Sequence, residues 1–352
     1  MVTASDPVGS PQVHIVSVGG TIGASTLEDR ISVTDDGASG LEVAIESFCK
    51  SRDITWESSA PYSVLSEQMD PQHWVDVVDQ IQQVIDSGVN SIVITHGTDT
   101  MAYTAAALGM IFRDVDARIV LTGSFFSFDH PKSDLVLNIS AAILAATASN
   151  LENGVFVSFG DSTGAVPVIP ALDLLPMRFD SRQFDTRYDN FIGLTTLDKG
   201  FRHYNQALYQ SVAQPFKLER PATWAQYGDI QSQIFQLPVY PGMDAKAHTK
   251  AMPSGSIVIV SAYHSGTADG RTYSDSLAEV IESRSDLTFV LGPIPTAVDP
   301  LYASTVNLLE LGARAYRDLT NHCLYVWFVL GQMAGLSPET LFAEIKDKKV
   351  AI

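Results

Sequence analysis

Basic residues are scarce in this chain. Its 352 residues carry 22 Lys and Arg against 40 Asp and Glu, a formal net charge of −18, and that balance excludes the basic footprint that nucleic acid and anionic membrane surfaces require. Cysteine is scarcer still. Cys49 and Cys323 stand far apart, each within an apolar helical pattern, which excludes a disulfide framework or a zinc site and fits a reducing compartment. No apolar run approaches the roughly 20 residues that cross a bilayer; the longest, Leu324 to Leu330, reads as a buried helix. The opening MVTASDPVGSPQ has neither a basic start nor an apolar core segment, so no secretory signal is expected and the chain is expected to be cytoplasmic. Internal repeats and low-complexity tracts are also lacking.

What is present is a globular composition, 45% hydrophobic and 18% charged, on a length that suggests about two domains at ~150 residues each. The most informative stretch is Ser91 to Thr104, SIVITHGTDTMAYT. A buried parallel strand reads as a short continuous β-branched run, and ligands of open α/β sheets bind just beyond the carboxyl ends of such strands. Here the run ends in Gly97, Thr98 and Asp99, and Thr98 to Thr100 place hydroxyls, a carboxylate and free N–H groups at a helix start. A plain N-cap accounts for the same residues. Val13 to Gly23, VHIVSVGGTIG, repeats the pattern, with Thr21 at the turn. Its Gly19-Gly20-Thr21-Ile22-Gly23 lacks the glycine spacing of a dinucleotide-binding turn.

Around these turns the chain alternates. Asp70-Pro71 opens a helix whose Trp74, Val77, Val78, Ile81, Val84 and Ile85 share one face, with Gly88 as its stop. Strands are expected at Ser91 to Thr95, Ile119 to Thr122 and Val155 to Phe159, and helices at Met101 to Phe112 and Asp134 to Ala146. This α/β alternation implies a doubly wound, mostly parallel sheet. Ala24 to Ser39, rich in Ser, Thr and Asp, reads as a mobile loop before a helix carrying Leu41, Ala44, Ile45 and Phe48. From Gly160 to Gln214, Pro167, Pro170 and Pro176 break the regularity, which suggests loop or a short hairpin and then linker. The expected division is 1–214 as the catalytic domain, 215–226 as linker, and 227–352 as a smaller α/β domain. The latter would have strands at Ile234 to Val239, Ile257 to Ala262 and Leu287 to Leu291, with helices at Ser274 to Glu282, Ala303 to Leu311, His322 to Met333 and Pro338 to Ile345.

VGGTIG together with THGTDTMAYTAAAL resembles the L-asparaginase family, threonine-nucleophile amidohydrolases, including its bacterial cytoplasmic branch. Ser66-Glu67-Gln68-Met69 ahead of Trp74 resembles the family's Ser-x-x-Met segment, which holds the amino-acid end of the substrate. Leu121-Thr122-Gly123-Ser124, with Ser133-Asp134 and Asn138, resembles its next strand and helix. The C-terminal half matches more loosely, through Tyr240-Pro241-Gly242 and the Ala262-Tyr263 strand end. The resemblance implies that Thr21 attacks the side-chain amide while Thr98 and Asp99 belong to a proton relay. It further implies that Gly20, Ser66, Glu67 and Gly97 bind substrate, Ser66 at the α-carboxylate and Glu67 at the α-ammonium. No metal or cofactor is implied. Chemically the pattern is apt, because a threonine hydroxyl needs a base or relay and the oxyanion needs donors.

The family's pattern is broken at two places. Its lid loop supplies a tyrosine, and Ser25 to Leu41 contains none; Thr34 or a tyrosine from elsewhere would have to substitute. Its relay includes a lysine, and the stretch from Gly154 to Ile192 has only Arg178, Arg182 and Arg187, whose pKa above ~12 rules out proton shuttling. Lys132 is the nearest alternative by fold position, beside the plainer reading of a solvated lysine. His96 inside the turn reads as structural rather than as a base. His264 with Ser265 and Asp269 suggests a serine triad only without the usual nucleophile elbow. Phe125, Phe126 and Phe128 are expected in core or subunit interface. The expected activity is hydrolysis of the side-chain amide of asparagine or a related small amide; the alternative is a non-catalytic amino-acid-binding or regulatory protein with a decayed relay. A third reading is the asparaginase-like subunit of an archaeal tRNA-dependent amidotransferase, which Ser66, Glu67 and Met69 also suit; that subunit carries an extra N-terminal domain, which is not expected here with Thr21 so near the first residue. The expected assembly is a homodimer or homotetramer whose pocket includes residues from Tyr263 to Asp269 of a second copy, with no nucleic-acid or membrane partner.

Overall fold

A computed structural model describes residues 12–27, 30–161, 164–203 and 216–350. The chain separates into two compact units, Met1–Ala213 and Gln214–Ile352. In the first, strands β1 (Gln12–Ser17), β2 (Ala24–Leu27), β3 (Arg30–Val33), β4 (Thr55–Ser59), β5 (Ser91–Thr95), β6 (Arg118–Thr122), β7 (Gly154–Ser158), β8 (Ala165–Pro170), β9 (Gly193–Thr196) and β10 (Gly200–His203) accompany helices α1 (Asp35–Ser51), α2 (Pro71–Asp86), α3 (Met101–Ile111) and α4 (Leu135–Thr147). Eight strands form one sheet in the order β10-β9-β8-β7-β6-β5-β1-β4. From β4 to β7 neighbours are parallel, and β7 to β10 pair antiparallel.

The local reasons are visible in the residues. β5, SIVIT, is buried throughout, as a β-branched run covered on both faces must be. α2 starts with a capping box at Asp70, whose carboxylate accepts from the Gln72 and His73 N–H groups, and carries Pro71 at its first turn. α1 and α4 pack over Val13, Ile15, Val93, Val120 and Phe156, while α2 and α3 pack on each other against the opposite face.

Two expectations are corrected here, the second only in part. Ala24 to Ser39 is not a loop: β2 and β3 pair antiparallel, and α1 begins at Asp35, not near Leu41. The Thr34 hydroxyl accepts from Gly37 N at 3.0 Å as the helix cap and lies 2.6 Å from the Ser25 hydroxyl, so it is engaged in folding the segment. After Gly160 the expectation of loop or a short hairpin holds in part: β9 and β10 form such a hairpin, but β8 also joins the sheet between β7 and β9, and residues 204–214 lie outside the described residues. Asp173 and Arg187, buried together at 2.6 Å with Asn190 against the same carboxylate, hold the irregular part of the stretch.

The second unit is a four-stranded parallel sheet of consecutive strands, β11 (Ile234–Pro238), β12 (Ile257–Ser261), β13 (Thr288–Ile294) and β14 (Arg314–Arg317). Helices Leu277–Ser283, Ala303–Glu310, Asn321–Met333 and Pro338–Glu344 surround it. Residues read as linker run along this unit: Phe216 is buried against Trp327, and Ala225 N donates to Met333 O. Both cysteines are buried, and neither forms a disulfide. Among the described residues no helix is long and apolar enough to cross a membrane.

Candidate functional site

The strand order reverses between β1 and β5. The chain leaves β1 through α1 to β4 on one side, then crosses through α2 to β5 on the other. Helices that depart to opposite faces open a crevice beyond the carboxyl ends of the two strands, the usual place for a ligand in such sheets. Thr21 follows β1 and Thr98 follows β5, so both lie at this crevice.

Backbone contacts close the two turns on each other. Gly19 and Gly20 have φ of 98° and 83°, conformations that favour glycine. A Cβ placed on Gly20 would stand 2.2 Å from Gly97 N, and one on Gly97 would stand 2.5 Å from Ser66 Oγ. Gly20, Gly97 and Ser66 therefore meet in van der Waals contact, with Thr21, Thr98 and Glu67 each the next residue along. Gly20 N donates to Val64 O at 2.9 Å, which draws the Val64–Ser66 segment alongside the β1 turn. Ser66 is buried, Thr21 and Thr98 are half-buried, and Glu67 and Asp99 are exposed. The arrangement thus offers hydroxyls inside the crevice and two carboxylates at its rim.

The capping alternative for Thr98 and Asp99 is answered by α3 itself. Its N-cap is Thr100, which makes no side-chain cap; the Thr100 hydroxyl donates instead to Ser66 O at 2.9 Å. The sequence offers Thr100 only as one of the hydroxyls of Thr98 to Thr100, with no role of its own. Its position after the GTD turn, opposite a Ser-x-x-Met segment, is the signal that would have marked it; it shares Ser66 O with Met69 N, which donates at 3.2 Å.

His96 is fully buried, and its ring is used on both nitrogens. Nδ1 donates to Gly97 O at 2.7 Å, since a carbonyl only accepts, and Nε2 then accepts from the Thr104 hydroxyl at 2.8 Å. Burial lowers its pKa to about 4, so the ring is a neutral strut behind the turn. Between about 4 and the ordinary value of about 6.5 the unfolded chain takes a proton that the folded chain refuses. Stability should fall by about 3 kcal/mol from this residue as pH drops through that window. Urea unfolding of the parent and of His96→Gln at neutral pH and at pH about 4.5 measures it, and an equal loss in both proteins would contradict the assignment.

Other candidates fall outside this crevice. Lys132 is exposed and lines a cleft of about 370 Å³ with Phe125, Phe126, Asp161 and Arg182; none of Thr21, Thr98 or Ser66 lines it. Phe126 stacks on His130 at 4.2 Å, and the Arg182 guanidinium sits over both Phe126 and Phe125. Phe125 and Phe128 are 37% and 41% exposed, so neither is core within this chain. Asp269 is paired with Arg271 at 2.7 Å, which holds its carboxyl at about 2, and Ser265 lies 3.2 Å from the Thr267 hydroxyl. Those partners are not the histidine contacts of a triad. Among the described residues no group of three or more His, Cys, Asp or Glu is placed to hold a metal.

Comparison with known proteins bears on the same residues. The asparaginase N-terminal family matches residues 12–185. A subunit of the glutamyl-tRNA(Gln) amidotransferase of Sulfolobus acidocaldarius is 28% identical over 280 residues, 79% of this chain and 60% of that protein. Its counterpart from Aeropyrum pernix is 34% identical over 152 residues, 43% of this chain and 35% of that protein. The chain thus spans about 60% of the first of these relatives and 35% of the second. In three dimensions it superimposes on L-asparaginase I from Vibrio cholerae with a TM-score of 0.70 at 20% identity, covering 97% of this chain and 100% of that one. The thermostable L-asparaginase from Thermococcus kodakarensis gives 0.68, also at 20% identity, covering 95% and 96%.

Proposed function

Because the chain belongs, through residues 12–185, to the asparaginase family, we propose that it hydrolyses the side-chain amide of L-asparagine or a related small amide, with Thr21 as nucleophile and neither metal nor cofactor. The observation that carries this reading is the contact of the Gly20 and Gly97 turns beside Ser66 at the switch point. It gathers one hydroxyl after β1 with a hydroxyl and a carboxylate after β5. In the proposed reaction the Thr21 hydroxyl oxygen adds to the amide carbon and its proton passes toward Thr98 and Asp99. Turn N–H groups hold the oxyanion, ammonia leaves, and water then cleaves the threonyl ester. The Ser66 hydroxyl donates to the substrate's α-carboxylate, and Glu67 attracts its α-ammonium.

The relay in this reading has no lysine. Residues 154–192 contain none, and Lys132 lines the other cleft, so Thr98, Asp99 and solvent must carry the proton. The same lack motivates the second reading, an amino-acid-binding or regulatory protein that keeps the pocket without turnover. One assay separates the two: ammonia release from asparagine, glutamine, asparaginyl peptides and related amides, beside binding of the same compounds. Binding without release from any amide would replace the hydrolase by the binder.

Glu67 gives the pocket its own test. Glu67→Gln should weaken binding of amides with a free α-ammonium by about 1–3 kcal/mol, the range for a lost charge-assisted contact, and leave α-blocked amides nearly unchanged. Calorimetric titration of both classes measures it; equal weakening would remove Glu67 from the pocket.

A further inference from the structure

On the α1 side of the sheet, behind the Thr21 turn, lies a cavity of about 310 Å³, at the small end of the range for ligand sites. Strand register explains why it exists. Ile15 pairs with Ser58 of β4, and Ser17 pairs with Thr95 of β5, so all four point to the face covered by α1. Farther down the strands that face is filled by Val13, Ile15 and Val93 under Leu41 and Ile45. At the carboxyl ends the residues become Ser17, Thr95 and Ser58, too small to reach the helix, and the space stays open.

The lining specifies chemistry. Thr95 is 1% exposed, and its hydroxyl has no hydrogen-bond partner among the described residues, an arrangement that is costly unless a ligand or a water answers it. Ser17 and Ser63 add hydroxyls at the same end; the Ser59 hydroxyl is turned to the other face, 2.9 Å from His14 Nε2. Ile15, Leu41, Ile45 and the Trp56 ring form an apolar side. Among the described residues Glu42 is the one charged residue on the wall, at an exposed position on α1. With a carboxylate and no lining cation, in a chain of net charge −18, an anionic ligand is disfavoured and a cation is attracted.

We propose that this cavity binds a small amino alcohol, its ammonium toward Glu42, its short methylene chain along Ile15, Leu41 and Ile45, and a hydroxyl paired with Thr95 and Ser17. The site is distinct from the Ser66 and Gly97 crevice, neither of which lines it, although Gly19 and Gly23 on either side of Thr21 do. It does not depend on the chain being a hydrolase.

Titration calorimetry on the full chain with a set of near-isosteric probes tests this. Diethanolamine should bind with one site per chain. Diethylene glycol, which lacks the cation, and diethylamine, which lacks the hydroxyls, should each bind about tenfold or more weakly, and diglycolate should not bind. Glu42→Gln, an exposed change, should weaken diethanolamine about tenfold and leave diethylene glycol unchanged. Thr95→Val should weaken both hydroxyl-bearing probes, with Thr95→Ser restoring them. No binding of diethanolamine by the parent chain, binding of diglycolate as tight as the amine's, or indifference to both Glu42→Gln and Thr95→Val would each overturn the proposal.

Discussion

Replacing Thr21 by alanine should lower amide hydrolysis by about 10³-fold or more while the protein stays folded. The magnitude follows from the role: removing the atom that forms the covalent bond leaves only what positioning and oxyanion stabilisation supply. Folding should be spared because Thr21 is half-buried in a single turn of 3₁₀ helix, Thr21–Gly23, whose closing bond, Gly23 N to Gly20 O at 3.1 Å, is made by backbone alone. The thermal midpoint should shift by no more than about 3 °C, the equivalent of about 1 kcal/mol in a unit of this size. Thr98→Ala should likewise abolish most turnover, and the double variant should be little worse than either single one, because members of one relay are not additive. Ammonia release at saturating amide, with melting curves on the same samples, measures all three. Most of the activity surviving in Thr21→Ala would dismiss it as nucleophile.

The second large effect is expected at a residue with no side chain. Gly20→Ala places a methyl where Gly97 N stands 2.2 Å away, with Gly97 Cα at 2.4 Å, and both are backbone atoms that no rotamer change can move aside. The Gly20 conformation, φ 83° and ψ −179°, lies in a region populated almost only by glycine, which adds strain of about 1–3 kcal/mol. Separating the β1 and β5 turns should therefore lower stability by about 2–4 kcal/mol and reduce amide binding even in the folded fraction. Denaturant unfolding and binding below the midpoint measure the two effects separately. Parent-like stability in Gly20→Ala would mean that the two turns are not held in contact.

Much of the first unit is legible in the residues. The β-branched run of Ser91–Thr95 and the apolar face of Pro71–Asp86, with its cap at Asp70, are written in neighbouring residues, and both elements form where expected. The hairpin Ala24–Leu27 with Arg30–Val33 is hidden by its Ser, Thr and Asp content, which resembles loop. Its order comes partly from outside: Phe128 N donates to Ala24 O at 3.2 Å, and Thr26 N to Asp129 Oδ2 at 3.0 Å. The start of α1 is masked by Gly37 and Gly40, poor helix formers that the packing requires, since a Cβ on Gly40 would stand 2.5 Å from the Phe128 ring. The strands β8, β9 and β10 carry Pro167 and Pro170 and are four to six residues long, too short for a clear period against proline's usual meaning as a breaker.

The sequence by itself determined the two glycine turns, the threonines after them, the acidic balance and the family they resemble, because turn chemistry and hydrophobic period are written within a few neighbouring residues. Only the tertiary structure decided that Gly20, Gly97 and Ser66 touch, that His96 is a neutral strut between Gly97 O and Thr104, and that Lys132 lines a different cleft. It also decided that Ser17 and Thr95 leave a cavity under α1. Each of these depends on strand order, on register and on atoms excluding one another across long separations in the chain, and such contacts leave no period or local composition for a sequence to display.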